Sequence, residues 1–210
     1  MSNNDDLSEQ NIGNLQHIFQ LAEYCKYDAD HAWQVTKFAL QLFDDLRELH
    51  HFGTTERYLL TCASILHDIG WIEGWQNHHK TTLIIILETK LLPFDSKTRL
   101  LIGSIARYHR GALPSKKHDH YATLDENEKK VVSILAACLR LADALDETHH
   151  QRIQAINCQI KKNKIVLQCQ IKEPASEEEK ACREKCDLLE KVFRRHLITH
   201  WNTNKTNAIS

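Results

Sequence analysis

The run VVSILAACLRLADALDETHH, residues 131–150, leaves this chain little freedom in what it can become. Val132, Ala136, Leu139 and Asp143 recur at helical spacing and share one face. A long helix that buries this face carries Asp143 inward with it. Asp125 and Glu128 precede the run with the spacing of a capping box. An unpaired buried carboxylate costs several kcal/mol or takes up a proton. Asp143 can meet that cost by pairing with Arg140 or Arg107, by capping a nearby helix, or by facing a bound cation.

The same periodicity organises most of what comes before. A helix is expected over about 14–25. A second starts near Asp30, carries Val35, Phe38, Ala39, Leu42, Leu46 and Leu49 on one side, and stops near Gly53. The segment 54–70 places Leu59, Cys62, Ala63, Leu66 and Ile69 together and ends at Gly70. The segment 80–92 reads as a helix closed by Pro93, and Asp95 or Ser96 caps another that runs to about Arg110. With only 6 Gly and 3 Pro in 210 residues, an all-β or loop-rich chain is disfavoured.

Beyond residue 153 the period changes to two: Ile156, Cys158 and Ile160, then Ile165, Leu167, Cys169 and Ile171, separated by KKNK. This predicts a β-hairpin. SEEEKACREKCDLLEKVFRRHLI follows as one amphipathic helix with an acidic first turn. The expected organisation is a disordered N-terminus over 1–13, a helical domain over 14–152, a hairpin and terminal helix over 153–200 packed on the same domain, and a disordered tail over 201–210.

Net charge is −1, from 27 basic and 28 acidic residues, so no global field draws in nucleic acid. Seven cysteines, an odd number with no Cys-x-x-Cys, read as reduced thiols. The acidic start MSNNDDLSEQN lacks the features of a signal peptide, and the apolar run LIIIL is too short to cross a bilayer. A cytoplasmic protein without membrane contact is expected.

Four places carry His or Asp where an apolar residue would be less costly: His31 at the start of the second helix, His67-Asp68 at the end of the third, His109 after the fifth, and Asp143. Singly, each has an ordinary reading: a His at the negative end of a helix, or an exposed ring in a basic stretch. Together they supply imidazoles and carboxylates from several rigid helices, the donor types a divalent cation needs. His118, His120, His149 and His150 lie in polar stretches and read as solvated.

In this order, the set resembles the signature of the HD superfamily of metal-dependent phosphohydrolases: an isolated His, a His-Asp doublet and a distal Asp. The surrounding text is more specific. DHAWQVTKFALQLFDDL, ILHDIGW with the following HHK, ARYHRGALP, LRLADALDETHH, the hairpin and LLEKVF resemble the C-terminal HD-type domain of the exopolyphosphatase/guanosine pentaphosphate phosphohydrolase family, over about residues 14–200. The resemblance implies a mainly α fold, an HD-domain helical bundle with a C-terminal β-hairpin and terminal helix. The Gly-rich phosphate loops of that family's N-terminal portion have no counterpart in this text, so the chain is expected to be the HD module standing alone. The family often writes His-x-His-Ser after its second His site; here the residues are His79, Lys80, Thr81 and Thr82, so Thr81 stands where the second His would be.

By this resemblance His31, His67, Asp68, His79, His109 and Asp143 are the metal ligands, with His79 preferred to His78. Asp68 bridges two ions or orients a water. The cofactor is one or two divalent ions, Mn, Fe, Co or Mg, with Zn less favoured because no Cys is among the ligands. Lys80, Arg107 and Arg110 adjoin the expected ligands and form a phosphate clamp, with Lys80 also catalytic. The implied activity is hydrolysis of a phosphate ester or anhydride, of a nucleotide such as guanosine tetra- or pentaphosphate, or of polyphosphate. The alternative is a non-catalytic polyphosphate- or nucleotide-binding regulatory module. A phosphorylated small molecule or polyphosphate is the expected partner, together with a second copy of the chain through the dimer contacts of the related enzymes.

Overall fold

A computed structural model describes residues 9–203. The expected disorder of the first eight residues, and of 204–210, falls outside the described residues.

Among the described residues, ten α-helices and three strands follow one another. The helical body comprises α1 (Glu9–Tyr24), α2 (Ala29–Asp45), the single turn α3 (Arg47–His50), α4 (Thr54–Leu66), a 3-10 turn (Ile69–Glu73), α5 (His78–Glu88), α6 (Ser96–Arg107), the short α7 (Asp119–Ala122) and α8 (Glu126–Ala144). After it come the strands β1 (Ile153–Ile160) and β2 (Lys164–Ile171), helices α9 (Ser176–Lys185) and α10 (Asp187–Phe193), and strand β3 (His196–Thr203). No described helix is long and apolar enough to cross a membrane.

The helix α8 is the axis of the molecule. Asp125 accepts from the backbone N–H of Glu128 at 2.9 Å, and Glu128 accepts from that of Asp125 at 2.8 Å, which closes the capping box read from the sequence. From Ile134 to Ala144 every side chain of α8 is buried, because α2, α4, α6, α9 and α10 surround it. The apolar faces of α2 and α4 meet it with Val35, Phe38, Leu42, Leu60 and Leu66. A helix buried on all sides has no solvent face on which to put a polar residue, so its polar side chains need built partners.

Two stretches differ from expectation. Helix α1 begins at Glu9, earlier than residue 14. The C-terminal helix expected to reach Ile198 ends instead at Phe193, where Arg194 turns into the left-handed region at φ 52°. Residues 196–203 then form β3, parallel to β2, with Leu167 opposite Thr199. The cause is the shift in pattern. Leu188, Leu189, Val192 and Phe193 keep helical spacing, whereas Leu197, Thr199 and Trp201 alternate with more exposed neighbours. The hairpin is as expected, β1 pairing antiparallel with β2. With β3 added, it makes a sheet in the order β1-β2-β3. Strand β1 packs on α2, while α9 and α10 pack on α8.

Candidate metal centre

Each central histidine is fixed by the end of a helix. Asp28 caps α2 and accepts from the backbone N–H of His31 at 3.1 Å, setting His31 in the first turn. His67 follows α4, and its Nδ1 lies 2.7 Å from the carbonyl oxygen of Ser64. His78 opens α5 with Nδ1 at 2.7 Å from the carbonyl of Trp75. His109 follows α6 with Nδ1 at 2.7 Å from the carbonyl of Ala106. A carbonyl only accepts, so in these three rings the proton sits on Nδ1 and Nε2 is left with a lone pair. In His31 the carboxylate of Asp146 plays the same part, 2.9 Å from Nδ1.

All four Nε2 atoms then converge. Those of His31 and His67 lie 3.2 Å apart, as do those of His78 and His109. In the His78–His109 pair, two neutral imidazoles held this way face each other lone pair to lone pair, which is repulsive unless a positive charge lies between them. The carboxylates fill the rest of the site. Asp68 Oδ1 lies 3.0 Å from His78 Nε2 and 3.3 Å from His109 Nε2, while its Oδ2 lies 3.6 Å from His67 Nε2 and 3.8 Å from His31 Nε2. Asp143 Oδ1 is 3.6 Å from His31 Nε2 and 3.7 Å from His67 Nε2. Despite its close neighbours Asp68 Oδ1 is a buried oxygen with no hydrogen bond, because the Nε2 atoms facing it carry no hydrogen. Among the described residues, three groups of donors, the atoms of each within 4.8 Å of one another, could hold a metal ion: His31, His67 and Asp143; Asp68, His78 and His109; and His31, Asp68 and His149. The first two are joined by the two oxygens of Asp68.

The protonation of the site reflects its acidity. Burial opposes charge on His31, but the carboxylates of Asp143 and Asp146 beside its two ring nitrogens, with the charge of Asp68, lift its pKa to about 10. Burial first, and the neighbouring His67 and His78 after it, drive His109 well below the ordinary imidazole value, against the pull of Asp68 and Asp143. Burial would raise Asp143, yet the Lys185 ammonium first, and the His31 and His67 rings beside it, hold it well below the usual carboxylate range. Burial likewise works against Asp68, and the surrounding imidazoles lower it.

His31, His67, Asp68, His109 and Asp143 therefore meet in space. The choice of His79 is corrected: His78 faces Asp68, and His79, about 100° further round α5, packs against Gly111, where an added Cβ would lie 3.0 Å from its Nε2. The position is tied down by Gly70 and Thr82. A Cβ on Gly70 would come within 2.1 Å of the carbonyl oxygen of His78. The Gly70 N–H donates to Thr82 Oγ1 at 3.0 Å, and that hydroxyl donates to the carbonyl of His67 at 2.9 Å. The doublet and α5 are thus stitched into one unit.

The expected clamp is only partly assembled. A cleft of about 380 Å³ leads to the centre, lined by Asp68, Trp71, Trp75, Arg110, Asp143, Glu147, Thr148, His149 and Lys185. Of Lys80, Arg107 and Arg110, only Arg110 lines it. Lys80 is exposed, two residues and so half a turn away from His78. Arg107 is buried over the ring of Tyr108 at 5.6 Å.

Asp146, His149 and Lys185 were not anticipated. Asp146 is fully buried three residues after Asp143, a helical spacing that was legible. His149 had the look of a solvated residue, but its ring stacks on His31 at 3.6 Å and 4°, held by Asp28 Oδ2 at 2.9 Å from its Nδ1. Lys185 comes from α9 and donates to Asp143 Oδ2 at 2.8 Å and to Glu147. It, and neither Arg140 nor Arg107, is the basic partner of Asp143; Arg140 pairs with Asp187 at 2.9 Å.

The comparison with known proteins agrees with this architecture. A guanosine-5'-triphosphate,3'-diphosphate pyrophosphatase of Pseudoalteromonas atlantica is 25% identical over 134 residues, which is 63% of this chain and 25% of that protein. The chain thus spans about a quarter of that relative's length. Residues 15–191 match the family described as Ppx/GppA phosphatase, domain III. That match takes in every helix from α2 to α9 and all four converging histidines, and the chain belongs to this family.

Proposed function

We propose that the chain is a metal-dependent phosphohydrolase acting on a phosphate ester or anhydride. One observation carries this reading: four buried imidazoles, each tied down through Nδ1, turn their Nε2 atoms toward one another and toward two carboxylates. The residues present fit a pair of divalent ions. His31, His67, Asp143 and one oxygen of Asp68 would hold one; His78, His109 and the other oxygen of Asp68 would hold the second. Four imidazoles with no thiolate suit Mn, Fe or Co, and suit Mg less, since it prefers oxygen donors. The ions would lower the pKa of a water and polarise a phosphoryl oxygen. Asp146 makes the His31 ring a stronger donor and fixes its orientation. Arg110 and Lys185 are the basic residues that line the cleft, and Arg110 is the one not already paired with the centre's carboxylates. The relative's name supports a guanosine polyphosphate among the substrates to be tried, with polyphosphate beside it.

A second reading, a non-catalytic binding module, has one observation in its favour: Lys185 already supplies a positive charge to Asp143. Elemental analysis of protein purified without chelator, paired with hydrolysis assays on guanosine polyphosphates and polyphosphate, separates the two. Bound metal with turnover that a chelator abolishes is expected. Protein that binds these ligands but holds no metal, and turns none over with Mn, Fe or Co added, would favour the module.

A further inference from the structure

We propose that Trp71 and Trp75 form a platform for a nucleobase, so that the cleft takes a nucleoside phosphate in preference to an inorganic polyphosphate. The phosphate's direction rests on the phosphohydrolase reading; the binding of the base does not.

Both indoles lie on the segment between the His67-Asp68 doublet and His78, and both line the cleft. Trp71 is 46% exposed and Trp75 64% exposed. An indole left in water forgoes a large apolar burial, and clustered exposed rings beside a cleft mark a binding surface. The rings continue a series that starts at the centre. His149 stacks on His31, and the Trp71 ring follows at 5.9 Å from His149 and 5.4 Å from His78. Arg110 lies over Trp75 at 5.8 Å, a cation held next to a flat π surface. A ligand that reaches the carboxylates therefore passes aromatic faces on its way out.

The charges argue against a long polyanion. Asp68, Asp143 and Glu147 line the cleft, against Arg110 and Lys185 as its basic residues, and Lys185 is already committed to Asp143 and Glu147. A polyphosphate has no flat face for an indole and needs cations along its length. A nucleoside phosphate needs cations at one end and a π surface at the other. A cleft of about 380 Å³ is in the range that holds a ligand of that size.

Calorimetric titration of the metal-loaded protein with a nucleoside 5'-monophosphate, the same nucleoside without phosphate, and inorganic tripolyphosphate tests this. Trp75→Ala should weaken both nucleoside ligands about ten-fold, as loss of one stacking ring does, without weakening tripolyphosphate. Trp75→Phe should recover most of the loss. The backbone carbonyl of Trp75, which holds His78, is retained in both variants. Trp33→Ala is the control, since that indole stacks on Phe19 and does not line the cleft. Nucleoside binding indifferent to Trp75→Ala, or tripolyphosphate binding more tightly than the nucleoside monophosphate, would overturn the proposal. A nucleotide that binds through Trp75 and is never hydrolysed would instead count against the phosphohydrolase reading and leave the platform standing.

Discussion

Two regions of the helical body bury histidine almost completely, and they do so in opposite ways. His50, in the turn α3, is 2% exposed. Its Nε2 lies 2.8 Å from the carbonyl of Phe43, and its Nδ1 accepts from the backbone N–H of Phe52 at 2.9 Å. Both ring nitrogens are satisfied by the backbone, and Phe43 and Phe52 pack around the ring. His31, His67, His78 and His109 are equally buried, at 1%, 0%, 1% and 1%. Each has one nitrogen satisfied and points the other at its peers. Burial alone does not separate a structural histidine from a candidate ligand; what the second nitrogen faces does.

The largest expected effect comes from removing the group common to both halves of the centre. Asp68→Ala should release bound metal and lower turnover about a thousand-fold, corresponding to about 4 kcal/mol of lost electrostatic stabilisation. The circular dichroism of the helices should be retained. Loss of helix instead would make Asp68 a structural residue like His50.

Asp146→Asn keeps all four imidazoles and weakens only the support behind His31. Metal affinity should fall about ten- to a hundred-fold, measured by competition with a chelator of known strength. No change in affinity would mean that the orientation of His31 does not depend on Asp146.

On the other side of the comparison, His50→Ala should cost about 2 kcal/mol of stability, from the cavity and the two backbone groups left without partners. Denaturant unfolding reads this directly. Metal content and turnover per folded molecule should match the parent, and a large fall in either would erase the distinction between the two regions.

Acid should affect His50 in a calculable direction. Burial pushes its pKa below the ordinary 6.5. The unfolded chain therefore binds a proton that the folded one refuses, and stability is full above 6.5 and falls as pH drops below it. His79 and His120, both held at about 4 chiefly by burial, contribute with the same sign. The denaturation midpoint should be lower at about pH 5 than at about pH 7, and the difference should shrink in His50→Gln. An unchanged difference would show that other groups carry the acid response.

The smallest effect is expected at His79. His79→Ala should leave metal stoichiometry and affinity as they were, whereas His78→Ala should remove one ion. The reverse result would restore the reading made from sequence.

That reading succeeded where a side chain's environment follows from periodicity. The buried face of α8 exposes Asp143 as an anomaly, and the ordered His, His-Asp and Asp residues do meet. It failed where direction depends on how an element starts or stops. Asn77 enters α5 through a left-handed conformation at φ 61°, which decides that His78 and not His79 looks inward. No pattern in HHK specifies this. Lys185 was invisible for another reason: it reaches Asp143 only because α9 packs on α8, a tertiary contact without a local signal. Strand β3 lay within reach, since Leu197, Thr199 and Trp201 alternate, but the helical spacing just before it dominated.

The separation of these parts along the chain has a consequence for how the centre is made. Every converging donor precedes the hairpin, and His31 and Asp146, bonded behind the centre, are 115 residues apart. Lys185 follows Asp143 by another 42. During synthesis at roughly 5–20 residues per second, the donors emerge seconds before the lysine does. A nascent chain can thus offer its carboxylates to an ion while its own ammonium is still inside the ribosome. Metal supplied during translation should load more fully than metal added to finished apoprotein, where Lys185 already occupies one side of Asp143.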